Sequence, residues 1–161
     1  MKALKSLVAL LVFSSLLVGC EKWKDIFHKD KDKEQKVYRA ENLPMSGLQE
    51  VPQRETLAHG WIDATYNKET KMLDFTIKWQ DLTGEPIGSH IHGVAPKGVN
   101  AGIKYDFTAL LPKTTAGTFT NSVMVDGTAI KEDSLLLGYY YINLHTPKFP
   151  GGEIRGQLEF K

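Results

Sequence analysis

The sequence has little of several features that mark common functional classes. Its 161 residues include one cysteine, Cys20, which excludes an intrachain disulfide. The 20 basic and 19 acidic residues nearly cancel, which argues against nucleic-acid binding because no basic excess is present. An apolar run at residues 7–18 is shorter than the roughly 20 residues of a membrane-spanning helix. What remains is one modest domain with enough apolar residues for a core.

The first 36 residues predict a targeting segment and a spacer. Lys2 and Lys5 precede the apolar run, and this order predicts a signal peptide over residues 1–19. Residues 20–36 are dense in Lys, Asp and Glu and show no sustained apolar period. We therefore expect a charged, flexible tether between the N-terminus and a folded domain that begins near residue 37.

The signal peptide ends in Leu17-Val18-Gly19-Cys20, which resembles a bacterial lipobox. The resemblance implies cleavage before Cys20 and attachment of lipid, such as palmitate, to the mature N-terminus. The protein would then be anchored in the bacterial cell envelope outside the cytoplasm, at the outer membrane or the periplasmic face. The alternative is an ordinary secretory signal in which the cysteine is accidental.

From residue 37 onward the sequence predicts short strands separated by turns. In residues 72–80, for example, apolar side chains alternate with polar ones. Residues 129–137 favour a short helix that ends at Gly138. We predict an all-β fold for residues 37–161, an antiparallel Greek-key sandwich or barrel of about 7–9 strands with one short helix. The predicted strands are residues 37–43, 57–66, 72–80, 87–92, 105–111, 118–125, 139–145 and 153–160.

Three histidines are candidates for one site. His90 and His92 are two residues apart in a predicted strand, so their side chains share a face. Gly88 and Gly93 flank the pair and leave room beside the imidazoles. His145 ends a second predicted strand, and we expect it to join the pair only if the two faces meet. Such a trio suits copper or zinc, because both metals bind imidazole nitrogen.

Four motifs occur in order along the chain: Leu48-Gln49-Glu50-Val51-Pro52, His90-Ile91-His92-Gly93, Asn143-Leu144-His145-Thr146 and Gly152-Glu153-Ile154-Arg155-Gly156-Gln157-Leu158. Together they resemble the motifs of the CHRD domain family, and the resemblance covers roughly residues 37–161. It implies a secreted or lipid-anchored β domain. Chordin's antagonism of growth factors does not transfer, because this chain lacks chordin's cysteine-rich modules. We therefore expect an extracytoplasmic binding protein rather than an enzyme. Its expected partners are the membrane, through the lipid anchor, and an unidentified protein or small ligand.

The order of three histidines followed by Arg155 is similar to that of copper/zinc superoxide dismutases. This resemblance implies copper ligation by the histidines and attraction of an anionic substrate by Arg155. The chain departs from the pattern because it has no clear bridging histidine, no zinc-ligand cluster in residues 93–104 and no disulfide. The alternative to a binding protein is accordingly a copper-dependent redox enzyme or a copper carrier.

Four neighbours are expected to support or complete a histidine site: Tyr141, Asn143, Arg155 and Glu50, with Glu153 as a further possibility on the polar face of the last strand. The competing interpretation is that the histidines are hydrogen-bonded structural residues and that Arg155 pairs with Glu50 or Glu153. His59 is expected to be an exposed strand residue. Catalysis by Ser89 is disfavoured, because its side chain should point away from the histidines.

Overall fold

The computed structural model describes residues 36–161, which form one compact unit. The predicted signal peptide (residues 1–19), Cys20 and nearly all of the predicted tether (residues 20–36) lie outside the described residues. Lys36, the last residue of the predicted tether, pairs with Glu69, and its carbonyl accepts the N–H of Lys68 at 2.8 Å. Within residues 36–161, no helix is long and apolar enough to cross a membrane.

The described part of the chain contains eight strands, all in one antiparallel sheet. A short helix, α1 (Glu132–Leu136), lies between the sixth and seventh strands, and single 3-10 turns occupy Gly47–Gln49 and Thr108–Leu110. In chain order the strands are β1 (Val37–Ser46), β2 (His59–Asn67), β3 (Met72–Gln80), β4 (Gly88–Gly93), β5 (Ile103–Asp106), β6 (Gly117–Met124), β7 (Tyr140–His145) and β8 (Ile154–Gln157).

The strands lie in the order β5-β4-β7-β8-β1-β2-β3-β6, and the sheet curls around its apolar face as a half-barrel. Its two edge strands approach each other through side chains. Phe107, which follows β5, stacks on Phe119 of β6 with ring centroids 5.5 Å apart, and Asn121 donates to the Tyr105 hydroxyl at 3.2 Å. The predicted all-β antiparallel architecture with one short helix is confirmed.

Strand β3 follows the alternation of apolar and polar residues that predicted it. Its apolar residues, Leu73, Phe75, Ile77 and Trp79, are all at most 1 % exposed, whereas the polar residues between them face outward. Burying one such side chain contributes about 1.5–3 kcal/mol. The predicted hairpin with residues 57–66 also forms, because β2 pairs with β3 along its whole length.

Several element boundaries differ from prediction because side chains hydrogen-bond to nearby backbone groups. The predicted strand at residues 105–111 is wrong in its second half. There Asp106 Oδ1 accepts the Thr108 N–H at 2.9 Å, and the chain turns into a 3-10 segment. Similarly, Asp126 Oδ1 accepts the N–H groups of Thr128 and Ala129, which delays the start of α1. Gly138, at φ +73°, ends the helical region as predicted.

Candidate metal centre

The pairing of β4 with β7 brings the three histidines together. His90 lies opposite Asn143, His92 opposite Tyr141, and Gly88 opposite His145. The residues between them, such as Ile91 and Leu144, are 0 % exposed and face the core. All three imidazoles therefore lie on the outer face of the sheet, so the condition under which His145 joins the pair is met.

The cluster is compact. Each histidine offers one nitrogen, and these three atoms lie within 4.8 Å of one another. The closest pair, His90 Nδ1 and His145 Nε2, is 3.0 Å apart. His92 and His145 are each 9 % exposed, and a Cβ added to Gly88 would lie 3.2 Å from the His90 ring. Gly88 thus leaves room beside the imidazoles, as predicted, whereas Gly93 makes room for Tyr140 on the opposite face.

Backbone carbonyl oxygens lie within hydrogen-bond distance of Nδ1 in two of the rings. His92 Nδ1 lies 2.9 Å from Ala101 O, and His145 Nδ1 lies 2.9 Å from Pro150 O. A carbonyl oxygen only accepts, so His92 Nδ1 carries the proton and His92 Nε2 carries a lone pair. His145 faces an acceptor at each nitrogen, because Asn143 Oδ1 lies 2.9 Å from its Nε2; in the tautomer that donates to Pro150 O, its Nε2 carries the lone pair. His92 Nε2 is buried and has no hydrogen-bond partner among residues 36–161.

Asp106 lies on the outer side of His90. Its Oδ1 is 3.7 Å from His90 Nε2, because β5 places Asp106 directly opposite His90. The carboxylate favours a proton on Nε2, and His90 Nδ1 then carries the lone pair that faces the cluster. No sequence pattern pointed to Asp106, because the pairing of β5 with β4 is set by tertiary structure.

Burial keeps the imidazoles neutral. It lowers the pKa of His90 to about 4, and the neighbouring His145 acts in the same direction. Burial also lowers the pKa of His92 and of His145. At neutral pH all three rings are therefore in the form that binds metal ions.

Acidification should lower the free energy of unfolding of the metal-free domain, because the partly buried His90 has to be protonated. Its pKa falls from 6.5 in the unfolded chain to about 4 in the fold, so its stabilising contribution is complete above pH 6.5 and is lost as pH falls towards 4. Urea unfolding with a chelator present should show His90→Gln losing about 2 kcal/mol less than the wild type between pH 7 and pH 5. Equal losses in both proteins would contradict the prediction. The comparison with the variant is needed because Glu50 has the opposite effect on stability. Burial raises its pKa, so its titration stabilises the fold as the pH falls.

Tyr141 is held between a histidine and an arginine. The rings of His92 and Tyr141 are parallel within 4°, with centroids 4.8 Å apart. The guanidinium carbon of Arg155 lies 3.3 Å from the Tyr141 centroid. The Tyr141 hydroxyl meets the loop at Ala101, accepting its N–H at 3.2 Å. Tyr141 therefore braces the ring of His92.

Arg155 fastens the loop of residues 94–102 over this outer face. It donates to Val99 O at 3.0 Å and to Asn100 Oδ1 at 3.4 Å, and it is 1 % exposed. The neighbouring Gln157 donates to Ala95 O at 3.2 Å. The polar face of the last strand is therefore covered, not solvated, and Arg155 lies behind the Tyr141 ring.

Asn143 links the cluster to Glu50. Asn143 Oδ1 lies 2.9 Å from His145 Nε2, and its Nδ2 donates to Glu50 Oε1 at 3.4 Å. Burial raises the pKa of Glu50 to about 7, although Arg155 acts in the opposite direction. Gly152, at φ +117°, makes room for this contact, since an added Cβ would lie 2.3 Å from Glu50 Oε1.

Two other sequence candidates lie outside the cluster. The carboxylate of Glu153 accepts hydrogen bonds from Thr56, Thr83 and Thr146, so the prediction that it could complete the histidine site is wrong. His59 lies beside Asp81 and has a side chain that is 41 % exposed, in agreement with its predicted position on the surface.

The family model of the CHRD domain matches residues 42–158. The chain belongs to the CHRD domain family. No curated protein sequence and no solved structure is significantly similar to it. The motifs by which the sequence resembles the CHRD domain meet at one place, since they supply Glu50, the pair His90 and His92, the pair Asn143 and His145, and Arg155.

Proposed function

We propose that this CHRD domain binds a transition-metal ion, copper or zinc, through His90 Nδ1, His92 Nε2 and His145 Nε2. The observation that carries the proposal is the convergence of one nitrogen from each of the three histidines within 4.8 Å. In addition, His92 Nε2 is buried and has no hydrogen-bond partner among residues 36–161. Imidazole is a preferred ligand of both metals, and three histidines leave a further coordination position open.

The hydrogen-bond pattern favours a cation over purely structural histidines. Without one, His90 Nδ1 has to donate its proton to His145 Nε2, and the lone pair on His90 Nε2 then faces the Asp106 carboxylate. Asn143 Oδ1 is a second acceptor directed at His145 Nε2. A bound cation permits the opposite tautomer of His90 and gives the converging lone pairs a common partner.

The cellular role that fits is metal binding outside the cytoplasm. The lipobox-like sequence before Cys20 supports a lipid anchor in the cell envelope, with the membrane as the anchor's partner. The domain would hold or carry its ion there as a binding protein. The neutral imidazoles suit it to binding near neutral pH, since no histidine proton has to be displaced.

Removal of one ligand tests the proposal. Residues 36–161, the compact unit, should bind one Cu(II) or Zn(II) per chain in calorimetry. Cu(II) should give an electron paramagnetic resonance spectrum with nitrogen hyperfine structure. His92→Ala should lower the affinity by about 100-fold or more, since second-shell losses alone cost 10–100-fold. The matched control, His59→Ala, should bind as the wild type does. Binding that His92→Ala leaves unchanged, or no binding at all, would refute the proposal.

The dismutase-like alternative receives less support from the geometry. A substrate-guiding arginine has to present its guanidinium to the entering anion, whereas Arg155 is 1 % exposed and bonded to Val99 and Asn100. The open coordination position is compatible with either a carrier or a redox enzyme. We therefore favour the binding protein, and a superoxide dismutation assay of the copper-loaded domain separates the two.

A further inference from the structure

Behind the histidine cluster lies a carboxyl group with few compensating contacts. Glu50 is 4 % exposed, and the only side-chain hydrogen bond to its carboxyl among residues 36–161 comes from Asn143. The cations that act on it are Arg155, from β8, and Arg54, from the segment after β1, and neither forms an ion pair with it within 4 Å in the described structure. Its other close neighbours are backbone groups, namely Gly152 and the Val51 N–H, which favours the ionised carboxylate.

We propose that Glu50 couples metal binding to proton release: it holds a proton in the metal-free domain and gives that proton to solvent when a cation occupies the histidine cluster. The inference rests on the proposed metal site and names the group that regulates it. In the step, a divalent ion enters, the carboxyl O–H bond of Glu50 breaks, and one proton leaves. The site then carries the ion together with one additional negative charge.

The connection runs through a single side chain. Asn143 touches His145 Nε2 with its oxygen at 2.9 Å and Glu50 Oε1 with its nitrogen at 3.4 Å. A cation on His145 raises the positive potential at Glu50 over this short, buried path, and a positive potential favours the carboxylate. The orientation of the Asn143 amide also favours ionisation of Glu50, because its N–H group donates to the Glu50 carboxylate.

Solvent can accept the proton of Glu50, and the histidine ligands do not release protons of their own. Glu50 lines a surface cavity of about 380 Å³ together with residues of the 48–53 segment and Lys97, so water can reach its neighbourhood. Burial holds the histidines neutral near pH 7, and they have no titrating proton to lose. Burial raises the pKa of Glu50 to about 7, so its carboxyl group titrates in that range.

Calorimetry in buffers of different ionisation enthalpy measures the released proton directly. At pH 7 the wild type should release about half a proton per Zn(II), and its affinity should rise about tenfold between pH 6 and pH 8. Glu50→Gln should bind Zn(II) with no such release and with a flat affinity over the same interval. The matched control is Glu85→Gln, which changes an exposed carboxyl and should behave as the wild type.

Infrared difference spectroscopy of the wild type tests the same step without a variant. Adding Zn(II) at pH 6 should remove a protonated-carboxyl C=O band. Zinc binding without proton release, or equal release by Glu50→Gln, overturns the role of Glu50 and leaves the metal site standing. Equal release by Glu50→Gln would assign the released proton to a metal-bound water. A domain that binds no metal fails the proposed function itself, and the role of Glu50 with it.

Discussion

Replacement of Glu153 by alanine should lower the free energy of unfolding by about 4 kcal/mol, because hydrogen bonds to a buried charge are strong and their loss leaves buried donors unpaired. Glu153 is 0 % exposed. Its oxygens accept from the hydroxyls of Thr56 at 2.7 Å, Thr83 at 2.9 Å and Thr146 at 2.7 Å, and from the Thr83 N–H at 3.1 Å. These donors come from three separate segments, so one carboxylate ties them together.

Chemical denaturation measures this effect, and Glu159→Ala provides the matched control. Glu159 is an exposed glutamate with Lys97 Nζ 3.9 Å from its Oε1, so its loss should change stability by at most about 0.5 kcal/mol. Glu153→Gln should lie between the two, since it keeps one accepting oxygen and turns an NH₂ group towards donors. A Glu153→Ala domain as stable as the control would show that water replaces the lost contacts.

The fold could be predicted because strand periodicity is a local property. In β3, four apolar residues at every second position were enough to identify a half-buried strand, and β2 followed from its turn into β3. Strand ends were less predictable, since they depend on single side chains such as those of Asp106 and Asp126. The strand order could not be read from the sequence, because it depends on which apolar faces pack together.

The metal candidates were predictable for the same local reason. His90 and His92 share a face in any strand, and His145 shares parity with Tyr141 and Asn143. That the two faces coincide required the β4–β7 register, which only the structure supplies. Asp106 was missed because its role depends on a second pairing, that of β5 with β4.

Buried polar residues were the main error of sequence reasoning. In β8 the alternation of Arg155 and Gln157 with apolar residues predicts a wet face, yet both are at most 3 % exposed. The loop of residues 94–102 covers them and offers carbonyl oxygens to their N–H groups. A row of polar side chains that hydrogen-bonds to a distant loop has the same local sequence pattern as one that hydrogen-bonds to water.

The covering loop also connects stability to the metal site. Ala101 accepts the His92 Nδ1 proton and meets the Tyr141 hydroxyl, while Arg155 holds the two residues before it. The position of the ligand nitrogen on His92 therefore depends on a guanidinium that does not contact His92 itself. Arg155 is a positioning residue of the proposed site, and its loss should disturb both the fold and the affinity.

Arg155→Met should lower the free energy of unfolding by about 3 kcal/mol, since Val99 O loses its donor and the Tyr141 ring loses the packed cation. Amide hydrogen exchange should accelerate at residues 99–101. Copper or zinc affinity should fall by about 10-fold, the effect expected when a partner that orients a ligand is removed. Arg155→Lys should not restore either property, because an ammonium cannot stack on Tyr141 and donate to the loop in the same geometry.

The matched control is Arg39→Met, which removes an exposed arginine from β1 and should leave stability and affinity near wild type. Wild-type stability in Arg155→Met would contradict the structural role of Arg155. A different result would favour the redox enzyme. In that case the copper-loaded wild type dismutates superoxide, and Arg155→Met abolishes this activity without changing the stability. The guanidinium would then act on an anionic substrate, which requires the 94–102 loop to open and expose it.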